Sequence, residues 1–298
     1  MALAIFLAVV ILMIIISART IKRRSVFICK GDCLYSEILR EKRDIWIYLP
    51  KTEDDPELKQ HQYPVVYLFD AEEQYAGFRD LMQKEAPDGS KVFRDTIVVG
   101  IRNTNRSRDL TPTHSIRDSK GKRTREFRPS GGGDNFIAFI KDELFPYIEE
   151  KYPVSSERIL MGHSLGGLTT INILLHHPEM FNGYIASDPS MWWDDKMMLN
   201  EAREILSQEK FDNKWLYFSI ANTAPAFKDI EHIQTDTSNK TNHVRSIFEL
   251  GDILQQNPGN GLHFSYKFYD QDDHNSVAMK TAYDGMKLLE SSRPVINL

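Results

Sequence analysis

The chain contains the segment Ile159-Leu-Met-Gly-His-Ser-Leu-Gly-Gly167, in which a short apolar run leads into the pattern Gly-X-Ser-X-Gly. A helix-compatible stretch, residues 168–175, follows directly. Strand, sharp turn and helix in this order form the layout of a nucleophile elbow, where small flanking residues avoid clashes in strained backbone. The segment therefore predicts that Ser164 is a nucleophile, next to a helix N-terminus that can stabilise negative charge on a substrate oxygen.

Length and composition are those of one globular catalytic domain. The chain has 298 residues, of which 41% are hydrophobic and 27% charged, with a formal net charge of -5. This balance argues against disorder and against a nucleic-acid partner. We expect the domain to cover residues 36–298, preceded by a linker over residues 19–35.

The N-terminus carries an apolar segment. Every residue from 2 to 16 is apolar, and a basic cluster, Lys22-Arg-Arg24, comes shortly after it. Residues 1–18 are predicted to be a signal or a membrane anchor, with membrane attachment through residues 2–16 in the second case. We expect a secreted or periplasmic protein, or one anchored in the membrane and facing outside.

The two cysteines, Cys29 and Cys33, lie close together ahead of the first expected strand. We expect them to be unpaired or joined in one local disulfide. A zinc site would need further ligands that this neighbourhood does not offer. No metal and no organic cofactor is expected.

Apolar runs alternate with amphipathic stretches along the rest of the chain. Strands are predicted at residues 45–49, 65–69, 97–101, 158–161, 184–187, 215–220 and 264–269, and helices at 136–148, 196–206 and 244–255. Strands that alternate with helices favour a doubly wound α/β domain whose site lies at the carboxyl ends of a mostly parallel sheet. The basic stretch Arg117 to Arg128 is interpreted as a solvated loop.

Several segments together resemble a known family: residues 39–50, 63–70, 100–112 and 162–167, Asp188-Pro-Ser-Met-Trp-Trp193, and Asp273-His-Asn-Ser-Val277. They are similar to the esterases related to enterochelin esterase, esterase D and the mycolyltransferases. The resemblance implies an α/β-hydrolase fold, a mostly parallel central sheet with helices on both faces. It also implies an oxyanion hole built from the backbone N–H groups of Leu165 and Ala71.

In α/β-hydrolases the catalytic order along the chain is serine, acid, histidine. His274 lies in a polar loop after the last expected strand, from which an imidazole could reach back to Ser164 as a base. Three carboxylates lie in the loop after the penultimate strand. Asp236 is the predicted acid and Asp229 the second choice, with Glu231 the third carboxylate of the loop. Asp236 as a helix N-cap, and a Ser-His dyad without an acid, both stay open.

Three further residues are candidates for substrate binding. His163, beside the serine, is expected to pack or to shape the pocket. Trp192 and Trp193 follow the strand after the elbow and could form an aromatic wall, or pack the loop onto the sheet.

These residues together predict a serine hydrolase of carboxylic esters that acts through an acyl-enzyme on Ser164. Siderophore lactones, hydroxycinnamoyl or acetyl esters on polysaccharide, and small esters all fit the chemistry. An acyltransferase with the same acyl-enzyme, and a non-catalytic binding protein on the same fold, are the alternatives.

Overall fold

The computed structural model describes residues 27–50, 62–83, 96–227 and 229–291. It contains eight strands: β1 (Phe27–Ser36), β2 (Glu41–Pro50), β3 (Tyr63–Leu68), β4 (Ile97–Ile101), β5 (Val154–His163), β6 (Gly183–Ser187), β7 (Lys214–Ala221) and β8 (Leu262–Tyr269). They form one sheet in the order β1-β2-β4-β3-β5-β6-β7-β8. All seven strands predicted from the apolar runs are confirmed.

The helices lie between the strands and after the last one. They are α1 (Ala71–Gln83), α2 (Arg106–Asp109), α3 (Gly133–Phe139), α4 (Phe145–Lys151), α5 (Leu165–His176), α6 (Trp193–Gln208), α7 (Ile230–Thr235), α8 (Asn242–Gln255) and α9 (Val277–Ser291). A wider π turn, Ile140–Leu144, joins α3 to α4, so the helix predicted over residues 136–148 is one interrupted helical stretch.

The sheet is mostly parallel. Strands β4, β3, β5, β6, β7 and β8 are parallel to one another, whereas β2 pairs antiparallel with β4 and β1 pairs antiparallel with β2 at one edge. The inner strands β4 and β6 are buried at every residue, which explains their continuous apolar sequences. The carboxyl ends of β5, β6, β7 and β8 consequently lie along one edge of the sheet, where the site is expected.

Helices cover both faces of the sheet. Phe78 and Leu81 of α1 and Met286 and Leu289 of α9 pack against one face. The larger core, which includes side chains of α3 to α6 and of α8, covers the other. The predicted α/β-hydrolase architecture is therefore confirmed.

The predicted linker is wrong at its C-terminal end. Residues 27–35 belong to strand β1, which pairs with β2 from Phe27 opposite Pro50 to Ser36 opposite Glu41. Lys30, Gly31 and Asp32 have low strand propensity, and this concealed the strand in the sequence. Pairing along the full length of β2 outweighs that propensity.

The strand also excludes one of the two expected states of the cysteines, the local disulfide. Cys29 and Cys33 are four residues apart in β1, so their Cα atoms are separated by about 13 Å at roughly 3.3 Å per residue. A disulfide needs Cα atoms within about 7 Å. Cys33 is a free, exposed thiol.

The apolar segment of residues 1–18 lies outside the described residues, so export and membrane attachment stay predictions. Among the helices that the structure describes, none combines the length and the apolar character that a membrane crossing requires.

Candidate active site

Ser164 stands at the turn between β5 and α5, as the sequence predicts. Its backbone has φ 59° and ψ -114°, a strained conformation for a residue with a side chain. The Ser164 N–H donates to the carbonyl of Ser187 at 3.0 Å, and its own carbonyl accepts from the N–H groups of Leu168 and Ser190. These three bonds hold the turn between β6 and the start of the helix.

The glycines around Ser164 are required by close packing. A Cβ atom on Gly162 would lie 2.2 Å from the carbonyl oxygen of Gly166. A Cβ on Gly167 would lie 3.0 Å from Pro189. The small residues of the elbow are therefore fixed by the crossing of helix α5 over the end of β5.

Ser164 opens into a cleft of about 240 Å³ at the carboxyl edge of the sheet. The cleft is lined by residues from six separate segments, namely Ser119, Lys120, Ser164, Ser190, Trp192, Thr223, Asn239, Lys240, His243 and His274. The structure thus brings Ser164 and His274, 110 positions apart in the chain, to the same cavity.

The hydroxyl of Ser164 lies 3.3 Å from that of Ser190. Within the described residues no hydrogen bond joins it to His274. Catalytic hydrogen bonds are often long or poorly aligned in ligand-free enzymes and tighten when the substrate binds.

His274 is oriented by a carboxylate that the sequence did not identify as the acid. Its Nδ1 lies 2.5 Å from Oδ2 of Asp188, which directly follows strand β6. An N–H at Nδ1 leaves Nε2 free to act as a base, which is the arrangement of a Ser-His-Asp triad. The carboxylate that contacts His274 is therefore Asp188, and not a residue after β7.

Asp188 is fully buried and its carboxylate is saturated with donors. Oδ1 accepts from the N–H of Ala221 at 2.9 Å, and Oδ2 accepts from His274 and also from Nε2 of His243 at 2.8 Å. Burial alone would raise the pKa of Asp188, but the two imidazoles outweigh it and hold the pKa well below its ordinary value. The carboxylate therefore stays ionised beside His274.

The predicted acids lie elsewhere. Asp236 accepts hydrogen bonds from the hydroxyls of Ser238 and Thr241, both at 2.6 Å, and so orders the turn before α8. Asp229 caps α7, accepting from the backbone N–H of His232 at 2.9 Å. Glu231 is exposed in α7. None of the three contacts His274 in the structure, and the carboxylate beside His274 is Asp188, which corrects the expectation that it follows the penultimate strand.

His163 contacts the backbone and the ring of His274 and does not line the cleft. Its Nε2 lies 2.6 Å from the carbonyl oxygen of His274, and the two ring centroids are 4.5 Å apart. Burial and the neighbouring His274 imidazole lower the pKa of His163 to about 4. His163 is therefore a neutral donor that fixes the His274 loop, which corrects its candidate role in substrate binding.

The two tryptophans separate into different environments. Trp192 lines the cleft with Ser164. Trp193 is fully buried, donates from Nε1 to Thr113 at 3.2 Å, and packs edge-on against Phe127. Only Trp192 is placed to contact a substrate, and Trp193 packs the loop onto the core.

The two expected oxyanion donors both begin helices. Leu165 is the first residue of α5 and Ala71 the first of α1, so neither N–H has an acceptor within its own helix. Arg106 links the two segments, since it binds the Asp70 carboxylate through Nε at 2.7 Å and donates to the His163 carbonyl at 3.2 Å. This positions the loop after β3 beside the elbow.

Asp188, His243 and His274 are also the group of described residues whose spacing comes closest to a metal site, with three ligand atoms within 4.8 Å of one another. Both imidazole nitrogens, however, approach Oδ2 itself, at 2.5 and 2.8 Å. Two ligands of one tetrahedral zinc ion stand about 3.3 Å apart. The distances fit hydrogen bonds better than a metal centre.

A family model described as "Putative esterase" matches residues 36–250 of the chain. The chain belongs to this esterase family. It is 31% identical to an IroE-like serine hydrolase from Shewanella oneidensis, with a TM-score of 0.78 over 88% of this chain and 80% of that one. It is 28% identical to the ferri-bacillibactin esterase BesA of Bacillus subtilis, over 80% of this chain and 81% of that protein.

The siderophore hydrolase EstB from Aspergillus nidulans shares the fold, with a TM-score of 0.70 at 22% identity over 90% of this chain and 96% of that one. Family membership and the serine at the elbow identify the protein as a carboxylic ester hydrolase of the serine type. Acyl transfer and a non-catalytic role are not favoured.

Proposed function

We propose that this esterase hydrolyses the ester bonds of a siderophore, with Ser164 as the nucleophile, His274 as the base and Asp188 as the orienting acid. The observation that carries the proposal is the position of His274. Its Nδ1 binds a buried carboxylate, and the residue lines the same cleft as the elbow serine. The choice of a siderophore is supported by the name of one relative, the ferri-bacillibactin esterase BesA, which matches over 81% of its own length.

The reaction follows from this geometry in two stages. Nε2 of His274 accepts the proton of the Ser164 hydroxyl as the oxygen attacks the ester carbonyl carbon, and the carbonyl oxygen becomes an oxyanion. The N–H groups of Leu165 and Ala71 bind that oxyanion. The imidazolium then protonates the departing alcohol, and a water molecule, activated by the same imidazole, releases the acid from the serine.

The electrostatics of the cleft fit an anionic substrate. Lys120 and Lys240 are both exposed at the cleft, and neither forms an ion pair with a carboxylate of the described residues. A siderophore that binds iron through catecholate or hydroxycarboxylate oxygens presents negative charge to such a rim. The ester bonds of the bound siderophore then lie within reach of Ser164, which lines the same cleft.

The loop that carries Lys120 is fixed in place. The amide of Asn239 donates to the carbonyl of Lys120 and that of Asn242 to the carbonyl of Ser119, both at 2.9 Å. The basic stretch 117–128, interpreted from the sequence as solvated, is thus anchored at the cleft through residues 119 and 120. Its charge is held where a substrate enters.

The test compares wild type, Ser164→Ala and a control, Ser207→Ala, whose serine is exposed on α6. Each is incubated with a cyclic tris-catecholate triester, with and without iron, and the linear products are followed by mass spectrometry. We expect Ser164→Ala to lose hydrolysis and fluorophosphonate labelling while its circular dichroism is unchanged. Retained turnover in Ser164→Ala would overturn the catalytic assignment, and turnover of simple esters without any triester hydrolysis would overturn the substrate.

A further inference from the structure

The acid of the proposed triad serves two imidazoles. Oδ2 of Asp188 accepts from Nδ1 of His274 at 2.5 Å and from Nε2 of His243 at 2.8 Å. His243 comes from a different element, the first turn of α8, and its ring stands nearly perpendicular to that of His274 with centroids 5.1 Å apart. A triad needs only one of these two bonds.

The bond to Asp188 is not explained by capping of α8. The helix uses the backbone of His243, whose carbonyl accepts from the hydroxyl of Ser246 at 2.7 Å. The ring extends away from these groups to the buried carboxylate, and only 13% of the side chain is exposed. Its contact is with the catalytic machinery.

The charged and titratable groups around His243 come from four segments. Asp188 faces it from the loop after β6 and His274 from the loop before α9. Lys120 of the anchored loop and Lys240 of the turn before α8 line the same cleft. Among the described residues, Asp188 is thus the carboxylate that His243 contacts, and the two lysines line the same cleft as His243.

A carboxylate oxygen that accepts two N–H bonds divides its negative charge between them. During catalysis the His274 ring becomes an imidazolium, which is stabilised by whatever charge Asp188 can offer. We propose that His243 is a positioning residue of the esterase that shares the Asp188 carboxylate with His274 and limits how strongly that carboxylate holds a proton on His274. This inference rests on the proposed triad.

We therefore expect the wild-type enzyme to stay active at lower pH than a variant that lacks the His243 donor. If the second donor is removed, all of the Asp188 charge acts on His274 and stabilises its imidazolium more strongly. His243→Leu removes the donor, whereas His243→Gln retains a neutral N–H at nearly the same place. Both variants lack the imidazole ring, but only His243→Leu lacks the hydrogen bond to Asp188. Comparing them therefore separates the effect of the hydrogen bond from that of the ring.

The experiment measures kcat/KM for p-nitrophenyl butyrate as a function of pH in wild type and both variants. We expect the acid limb of His243→Leu to move upward by about 0.5 to 1 pH unit, and that of His243→Gln to stay within about 0.2 of wild type. An acid limb that does not move in His243→Leu, or that moves equally in both variants, overturns the proposal.

A second measurement keeps the test independent of how His243→Leu folds. In Ser164→Ala protein, proton NMR should show two strongly downfield ring N–H signals, from His274 and His243, and both should disappear when Asp188→Asn is added. A single such signal overturns the sharing of the carboxylate. Failure of the proposed function is distinct, because it appears as hydrolysis that survives Ser164→Ala, whatever the NMR spectrum shows.

Discussion

Oδ2 of Asp188 lies 2.5 Å from Nδ1 of His274, and the carboxylate has no exposed surface. An amide in its place would present an N–H donor to Nδ1 and stabilise the wrong tautomer of the imidazole, with its proton on Nε2. We expect Asp188→Asn to lower kcat by about 10³ to 10⁴ with the fold retained. Steady-state kinetics and circular dichroism measure both quantities.

Asp236→Asn is the matched control, since Asp236 is the acid that the sequence alone favoured. Its carboxylate binds Ser238 and Thr241 in the turn before α8, so we expect kcat to change by less than about threefold. The assignment of Asp188 would be refuted if Asp236→Asn lost more activity than Asp188→Asn.

The sequence located the serine and the histidine for a local reason. The strand, the glycines and the helix around Ser164 are consecutive, and His274 lies in the polar loop directly after the last apolar strand. The acid depends instead on which strands are neighbours. Asp188 directly follows β6, and its Oδ1 accepts from the N–H of Ala221 at the end of the adjacent strand β7.

Asp188 did carry a sequence signal, because it directly follows a buried apolar strand in the segment Asp188-Pro-Ser-Met-Trp-Trp193. The usual place of the acid in α/β-hydrolases, after the penultimate strand, favoured instead the loop after β7, which holds three carboxylates. Spacing could not show that all three face local partners. His243 was missed for the same reason, since its contact with Asp188 spans 55 positions.

Gly162 has no room for a side chain. A Cβ there would lie 2.2 Å from the carbonyl oxygen of Gly166 and 2.7 Å from the hydroxyl of Thr170, so helix α5 would have to move away from β5. We expect Gly162→Ala to lower the free energy of unfolding by at least about 3 kcal/mol and to abolish hydrolysis, because Ser164 moves with the helix. Urea unfolding and an ester assay measure the two effects.

Gly31→Ala is the control for this substitution. Nothing lies within 4 Å of the Cβ that it would add in the edge strand β1. We expect the free energy of unfolding to change by no more than about 0.5 kcal/mol. Equal destabilisation by the two substitutions would contradict the packing that we describe at the elbow.

His163 makes the fold sensitive to acid. Burial and the His274 imidazole lower the pKa of His163 to about 4, below the ordinary 6.5 that it has in the unfolded chain. Between these pH values the unfolded state binds a proton that the folded state does not. The contribution of neutral His163 to the free energy of unfolding is therefore fully present above pH 6.5 and is lost as the pH falls toward 4. The gap corresponds to about 3 kcal/mol.

His163→Gln isolates this contribution, because glutamine keeps an N–H for the His274 carbonyl but does not titrate. Between pH 7 and pH 4 we expect the free energy of unfolding to fall by about 3 kcal/mol less in the variant than in wild type. Urea unfolding at both pH values measures the difference. The lowered pKa of Asp188 affects stability only below about pH 3.8, its ordinary value, and so does not contribute between pH 7 and pH 4. Parallel pH dependence in the two proteins would show that His163 titrates normally.

Lys120 and Lys240 should select for charge on the substrate. They line the cleft of Ser164 without a carboxylate partner among the described residues, so an anionic ester should be attracted to it and a neutral one should not. We expect Lys120→Gln/Lys240→Gln to lower kcat/KM for an anionic tris-catecholate ester by about tenfold at low salt, and for p-nitrophenyl butyrate by less than twofold. Added salt should reduce the wild-type advantage toward the variant, since exposed charges are screened. Lys42→Gln/Lys287→Gln, which removes two exposed charges, one from β2 and one from α9, serves as the control for net charge. If it had the same effect as the substitution of the two cleft lysines, the overall charge of the protein would account for the preference.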